Sequence, residues 1–129
     1  MTPAQVLEQR RQLIIDQDVE GFTALFAPDS VMEMPFGGSS LPGRVEGQAA
    51  IGEMSRQMAD GLRFDDFENV AVHETGDPEV VIAETVTRAT HLASGKSFVA
   101  PSIQLFRIRD GKILLFRAYT GPAAQAVAG

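Results

Sequence analysis

Ser97-Phe-Val-Ala-Pro-Ser-Ile-Gln-Leu-Phe-Arg-Ile-Arg109, then Asp110-Gly111, then Lys112-Ile-Leu-Leu-Phe-Arg-Ala-Tyr-Thr120 is the stretch that decides the fold. Two runs rich in β-branched and aromatic residues flank an Asp-Gly pair. That pair is the strongest short-range hairpin signal, because a two-residue turn of matching twist needs positive φ at both positions. Working upstream, Val80 to Leu92 reads as a strand joined to Ser97 through Ser94-Gly95. Leu62 to Thr75 reads as another, ending at Gly76-Asp77-Pro78. Long strands joined by tight turns make a meander. In the Leu62 strand, Phe64, Phe67, Val70 and Val72 do not alternate cleanly, which predicts a bulge and leaves the phase of His73 open.

The first part of the chain is helical in pattern. From Pro3 to Gln17, Val6, Leu7, Leu13 and Ile14 share one face, with Arg10 on it and Arg11 pointing away. Asp18 suits the N-cap of a short helix carrying Phe22, Leu25 and Phe26, which Ala27-Pro28-Asp29 ends. A third helix from Gly47 to Asp60 carries Ile51, Met54 and Met58, with Ser55 alongside and Gly61 as its stop. Ser30 to Phe36 reads as a short strand, and Pro35 suits an edge strand or the end of one. Helices followed by a meander give an α+β architecture: three N-terminal helices on one face of a curved antiparallel sheet, enclosing an apolar pocket.

Both faces of the last two strands are substantially apolar. Leu114, Phe116 and Ala118 oppose Ile113, Leu115 and Tyr119; Ala100, Phe106 and Ile108 oppose Val99, Ile103 and Leu105. The helices cover one face only, so the other is expected to meet a second copy in a homodimer, with Arg88, Arg107 and Arg117 supplying polar contacts. Coverage by edge strands and terminal residues is the alternative.

The totals narrow the function. A chain of 129 residues suits one domain, residues 1–129, with a core that needs no staples. There is no cysteine, so disulfides and thiol catalysis are excluded. No apolar run approaches the ~20 residues of a membrane span, and Met1-Thr-Pro-Ala-Gln5 lacks a signal-peptide pattern. A cytoplasmic location is expected. The net charge of -6 argues against a nucleic-acid partner.

Three segments carry a family resemblance. Asp18-Val-Glu-Gly-Phe-Thr-Ala-Leu-Phe-Ala-Pro-Asp-Ser-Val-Met-Glu-Met-Pro-Phe-Gly37 resembles the opening of ketosteroid-isomerase-like proteins of the nuclear transport factor 2-like superfamily. Phe98-Val-Ala-Pro, Leu105-Phe-Arg-Ile-Arg-Asp-Gly-Lys-Ile113 and Arg117-Ala-Tyr-Thr-Gly121 resemble its C-terminal hairpin. Gly47 to Pro78, with Glu74-Thr-Gly-Asp-Pro, is similar to phenazine-biosynthesis A/B proteins and SnoaL-like polyketide cyclases, as is the loop from Phe36 to Gly47. The resemblance implies a single SnoaL-like domain and a cone-shaped sheet around a pocket. It does not imply one activity, since this fold hosts isomerases, cyclases, dehydratases and non-catalytic proteins.

Residue by residue, the resemblance subtracts. The isomerase base position is Met34; the helix-one tyrosine falls near Arg10, and the protonated aspartate of the oxyanion hole falls on Gln104. The phenazine-type histidine aligns with Met54, and the acidic residue of the last strand with Ala118. Without a carboxylate at Met34, ketosteroid isomerase activity is rejected. Strand phase taken from the resemblance points Met32, Met34, Thr87, Ala89, His91, Ser102, Gln104, Phe106, Phe116, Ala118 and Thr120 inward, and the helices add Arg10, Met54, Ser55 and Met58. A methionine-rich wall suits a flat apolar ligand, or else fills the cavity itself. His91 is the candidate acid/base and Gln104 the candidate carbonyl polariser, its rival being an amide satisfied by threonine or backbone. Arg10 is expected to snorkel outward; inside, it would favour a carboxylate or phenolate. Glu33 should point away and Asp65-Asp66 be solvated. Gly37-Gly38-Ser39-Ser40 lacks phosphate-loop spacing and reads as an ordinary mobile loop rather than a lid, and two histidines without ligand spacing argue against a metal site.

These residues describe a small-molecule pocket protein. It is either a cofactor-independent isomerase, cyclase or dehydratase acting on an apolar carbonyl or unsaturated substrate, or a non-catalytic binding or scaffold domain.

Overall fold

The computed structural model describes residues 1–36, 43–120 and 124–125. Helix α1 (Pro3–Ile15) starts at a capping box: Thr2 Oγ1 accepts from the Gln5 N–H, and Gln5 Oε1 accepts from the Thr2 N–H. Pro3 is at the first helical position, where its missing N–H costs no bond. Helix α2 (Val19–Ala24) is capped by Asp18, whose carboxylate accepts from the Gly21 N–H. It is shorter than its sequence pattern suggests. Strand β1 (Phe26–Glu33) starts at once, taking in Ala27, Pro28 and Asp29, which were expected to close the helix.

Strand β2 (Arg44–Glu46) was read as loop. Gly47, with φ +91°, then turns the chain into α3 (Gln48–Gly61). Gly61 is the last helical residue, not a left-handed stop, and Leu62 is already extended. The meander follows as β3 (Leu62–Glu74), β4 (Val80–His91), β5 (Ser97–Arg109) and β6 (Lys112–Thr120). Asp110 (φ 52°) and Gly111 (φ 75°) both take the positive φ that the two-residue hairpin requires.

The strand order is β2-β1-β6-β5-β4-β3, and β7 (Ala124–Gln125) pairs with β5 at Phe98 and Val99. One pairing departs from the expected antiparallel pattern: β1 runs parallel to β6, with Val31 opposite Leu115 and Met32 opposite Phe116. Strand β1 is therefore interior, not an edge, and β2 and β3 are the ends of the path. Pro28 is tolerated because it falls in a register shift between Phe26 and Val31, where no ladder bond is lost. The bulge expected in β3 takes the form of two shifts, between Phe64 and Asp66 and between Asn69 and Ala71. A further shift between Arg107 and Ile108 turns Ile113 into the core, against the face assigned to it by simple alternation.

The core lies between the helices and the concave face of this sheet. Val6 and Leu7 of α1, Leu25, Ile51 of α3, Phe26 and Met32 of β1, Val81 and Ala83 of β4, and Phe106, Ile108, Ile113, Phe116 and Ala118 of the last hairpin form one buried cluster. At roughly 1.5–3 kcal/mol for each large side chain removed from water, such a cluster accounts for the folding of the helices onto the sheet.

Candidate functional site

The concave face is laid out by cross-strand register. Val81 faces Phe106, Ala83 faces Gln104, Thr85 faces Ser102, Thr87 faces Ala100 and Ala89 faces Phe98. On β6, Phe116 faces Phe106, Ala118 faces Gln104 and Thr120 faces Ser102. Burial is uneven along this ladder, with Ala89 buried at the far end. Phe106, Gln104, Ser102, Ala83, Thr85, Phe116 and Ala118 are buried, whereas Thr87, Ala100, Phe98 and Thr120 are half-buried although they share the same face. The helices close the Phe106 end.

Arg10 is at that closed end. It is only 3 % exposed, and among the described residues it is the one buried charged side chain. The expected snorkelling does not occur. Its neighbours on the buried face of α1, Val6 and Leu7, are themselves fully packed, and four phenyl rings surround the guanidinium. The distances from its central carbon to the ring centroids are 4.8 Å for Phe116, 4.9 Å for Phe106, 5.2 Å for Phe67 and 5.9 Å for Phe22. Phe106 and Phe116 are stacked, with centroids 5.0 Å apart and planes 8° from parallel.

Rings are not hydrogen-bond acceptors of the usual kind, and Nε and Nη1 of Arg10 are buried without a partner. Desolvation pushes its pKa well below the usual arginine range, down to about 9. Cation–π attraction, about 0.5–2 kcal/mol per ring, offsets only part of the several kcal/mol lost when an ion leaves water unpaired.

Gln104 is one inward position along β5 from Phe106. It is 7 % exposed, and its Oε1 is buried without a donor, so neither a threonine nor the backbone satisfies that atom. Thr85 Oγ1, on the neighbouring strand, is also buried and unpartnered. Ser30 Oγ of β1 and Asn69 Oδ1 of β3 are likewise buried without a partner, whereas other polar groups are internally satisfied. Ser102 Oγ and Thr120 Oγ1 bond to each other at 2.8 Å, and Ser55 Oγ donates to the Ile51 carbonyl within its own helix.

The methionines form less of the wall than their number suggests. Met32 is in the core, Met34 and Met54 pack against it, and Met58 is half-buried. The surroundings of Arg10 are phenyl rings. Phe22 and Phe67 were not among the residues read as lining the interior. Phe67 follows the β3 bulge, which hid its phase, and Phe22 was visible only as part of a helical stripe. Thr85 was detectable in principle, two residues from Thr87 on the same strand face.

His91 keeps the inward phase of Thr87 and Ala89 but lies at the end of β4. It is exposed there, with its ring 4.9 Å from that of Phe98. His73 is exposed as well, its Nε2 2.6 Å from Glu84 Oε2. Glu33 points away from the interior and accepts from Arg117. Asp65 is held by Thr90 and Arg63, whose hydrogen bonds draw its carboxyl below the usual range, and Asp66 accepts from the Phe67 N–H at the bulge. The segment 37–40 weighed as a phosphate loop lies outside the described residues. Among those described, no group of three or more His, Cys, Asp or Glu side chains is arranged to hold a metal ion, and no helix is long and apolar enough to cross a membrane.

Comparison with known proteins agrees with this layout. A model of the SnoaL-like domain matches residues 8–116. The chain belongs to the SnoaL-like domain family. An uncharacterized PhzA/B-like protein of Pseudomonas aeruginosa is 30 % identical over 122 residues, covering 95 % of this chain and 86 % of the relative. A crystal structure from Bacillus subtilis, provisionally assigned as an isomerase, superposes with a TM-score of 0.87 at 25 % identity, covering 92 % of this chain and 86 % of that one. A Mycobacterium tuberculosis protein in complex with estradiol-17β-hemisuccinate gives 0.80 at 19 % identity, covering 92 % and 94 %. This SnoaL-like chain thus has the curved, unclosed sheet with three helices of the nuclear transport factor 2-like fold.

Proposed function

We propose that this SnoaL-like domain, spanning residues 1–129, binds a small, largely apolar molecule between its helices and the concave sheet face. One observation carries the reading: Arg10, Gln104 and Thr85, with Ser30 and Asn69, have buried polar atoms without partners in a largely apolar interior. Buried polar groups are normally satisfied, and ligand sites are typically apolar concavities with a few convergent polar atoms. Half-buried Met34, Met54, Met58, Thr87 and Thr120 would line the wider end, with Ala89, Ala118, Ser102, Met32, Phe106 and Phe116 behind them. The steroid ester held by a structural neighbour supports an apolar polycyclic ligand.

Gln104 favours a second, catalytic reading, in which an amide N–H polarises a ligand carbonyl where relatives use an acid. The chemistry would be a cofactor-independent isomerisation, cyclisation or dehydration, with His91 exchanging protons at the rim. Exposure of His91 makes simple binding the stronger of the two readings.

A second copy of the chain is the proposed occupant of the outer sheet face. Ile103 (51 % exposed) and Val70 (56 %) stand there among Leu105, Leu115 and Tyr119. Arginines 88, 107 and 117 share that side with Glu33 and Glu84, a mixed-sign pattern that can complement itself across a two-fold axis.

The test of binding is the melting temperature against a panel of flat apolar molecules with and without a carbonyl. A ligand at a hundred times its Kd stabilises the fold by about 2.7 kcal/mol, a rise of several degrees. Shifts for several panel members support the reading, and no shift from any contradicts it.

A further inference from the structure

We infer that the ligand of this interior is a monoanion, a carboxylate on a flat apolar body, and that Arg10 is its anchor. The inference rests on the interior being a ligand site, and adds what that site selects.

Three observations lead to it. First, the guanidinium is oriented but not engaged. The rings of Phe22, Phe67, Phe106 and Phe116 surround it, while Nε and Nη1 have no acceptor. These two atoms lie on different edges of the planar guanidinium: Nε pairs with Nη2 side-on and Nη1 pairs with Nη2 end-on, so each edge has an uncommitted donor to offer a carboxylate oxygen. Second, among the described residues no other charged side chain is buried, so nothing in the interior neutralises Arg10. A monoanion brings the net buried charge to zero. A dianion such as a phosphate ester leaves one negative charge in apolar surroundings, and a neutral ligand leaves the positive one. Third, the walls are phenyl and aliphatic. The stacked Phe106–Phe116 pair and the small residues Ala83 and Ala118 offer a flat apolar surface beside the cation. Gln104, one inward position along, has an unpartnered Oε1 that can accept from a second polar group on the same body. A hydroxyl donor on the ligand fits that atom.

Arg10 falls near the helix-one tyrosine of the isomerase pattern, but a guanidinium with free donors among phenyl rings suits recognition of an anion, and that is the role inferred for it. The burial that lowers its pKa is also what makes an incoming anion favourable, since pairing in low dielectric is stronger than pairing in water.

The experiment is a matched-pair titration at pH 7, pyrene carboxylate against its methyl ester. The chain has no tryptophan, so the fluorescence of the probe is read without interference. Wild type is expected to bind the acid about tenfold or more tighter than the ester, the range of a charge-assisted contact. Arg10→Met, apolar and of similar reach, is expected to remove that preference while keeping ester binding. Arg10→Lys, which keeps the charge but not the fork, is expected to retain part of it. Equal affinity of wild type for acid and ester overturns the inference and leaves the apolar site standing. An acid preference that survives in Arg10→Met overturns it as well. Absence of binding by either probe removes the site and the inference together.

Discussion

At the residue scale, the side chain that matters most is the one that sequence patterning places but does not explain. The spacing of Val6, Leu7, Arg10, Leu13 and Ile14 puts Arg10 on the packed face of α1. What it meets there comes from α2, β3, β5 and β6, and no local pattern reports that four phenyl rings from four elements converge on one point. Without that knowledge a long cation is expected to reach for water. The same residue sets a stability expectation. Replacing a buried, unpaired ion by an apolar side chain removes its desolvation cost, so Arg10→Met should stabilise the ligand-free fold by about 1–4 kcal/mol at pH 7. The sign with pH follows from the lowered pKa. Below about pH 9 Arg10 is charged in both states and the full cost is present. Above about pH 9 the folded form gives up its proton before the unfolded one, so wild-type stability attributable to this group rises with pH. The difference in melting temperature between Arg10→Met and wild type should therefore be largest near neutrality and shrink above pH 9. A variant less stable than wild type at pH 7 would contradict the assignment of Arg10 as a destabilised cation.

At the element scale, the legible parts of the fold were those set by local chemistry. The hairpin from Ser97 to Thr120 was readable because Asp110-Gly111 specifies its own turn, and Asp18 announced α2 because capping is a one-residue signal. The ends of elements were less legible. Gly61 looks like a helix stop, yet Leu62 simply extends and continues into β3. The three residues of β2 are too few to carry a strand pattern, and β1 extends through Pro28 only because a register shift absorbs it. The contact between α2 and α3 gives a direct test of packing. A Cβ on Gly52 would lie 2.8 Å from Thr23 Cγ2 and 3.1 Å from Thr23 Oγ1, whose hydroxyl is committed to the Val19 carbonyl. Gly52→Ala should therefore push the helices apart at a cost of about 1–3 kcal/mol, measurable by urea unfolding, despite its better helix propensity. An unchanged or raised midpoint would show that Thr23 moves aside freely.

At the scale of the whole molecule, the sheet has two apolar faces and its helices cover one. Sequence alternation revealed this outer surface, although the shift near Ile108 moved Ile113 to the core side. Of the interior, the inward phase of Gln104, Phe106, Phe116 and Ala118 came from the family resemblance, because both faces of β5 and β6 are apolar and alternation does not say which one turns inward. The phase of Phe67 was not readable, because β3 does not alternate cleanly. Sedimentation at micromolar concentration should give a dimer, and Ile103→Glu, which places a carboxylate in the middle of the outer face, should give a monomer with an unchanged fold. A monomeric wild type would remove the second copy from that face.

The central claim is that the interior holds a ligand anchored on Arg10. It is tested most directly by a crystal structure of the chain grown with pyrene carboxylate. The expected result is density for the flat ring system against Phe106 and Phe116, with the carboxylate oxygens about 3 Å from one edge of the Arg10 guanidinium. A ligand bound only on the outer surface, or an interior in which Arg10 remains closed among its four rings under saturating acid, would contradict it.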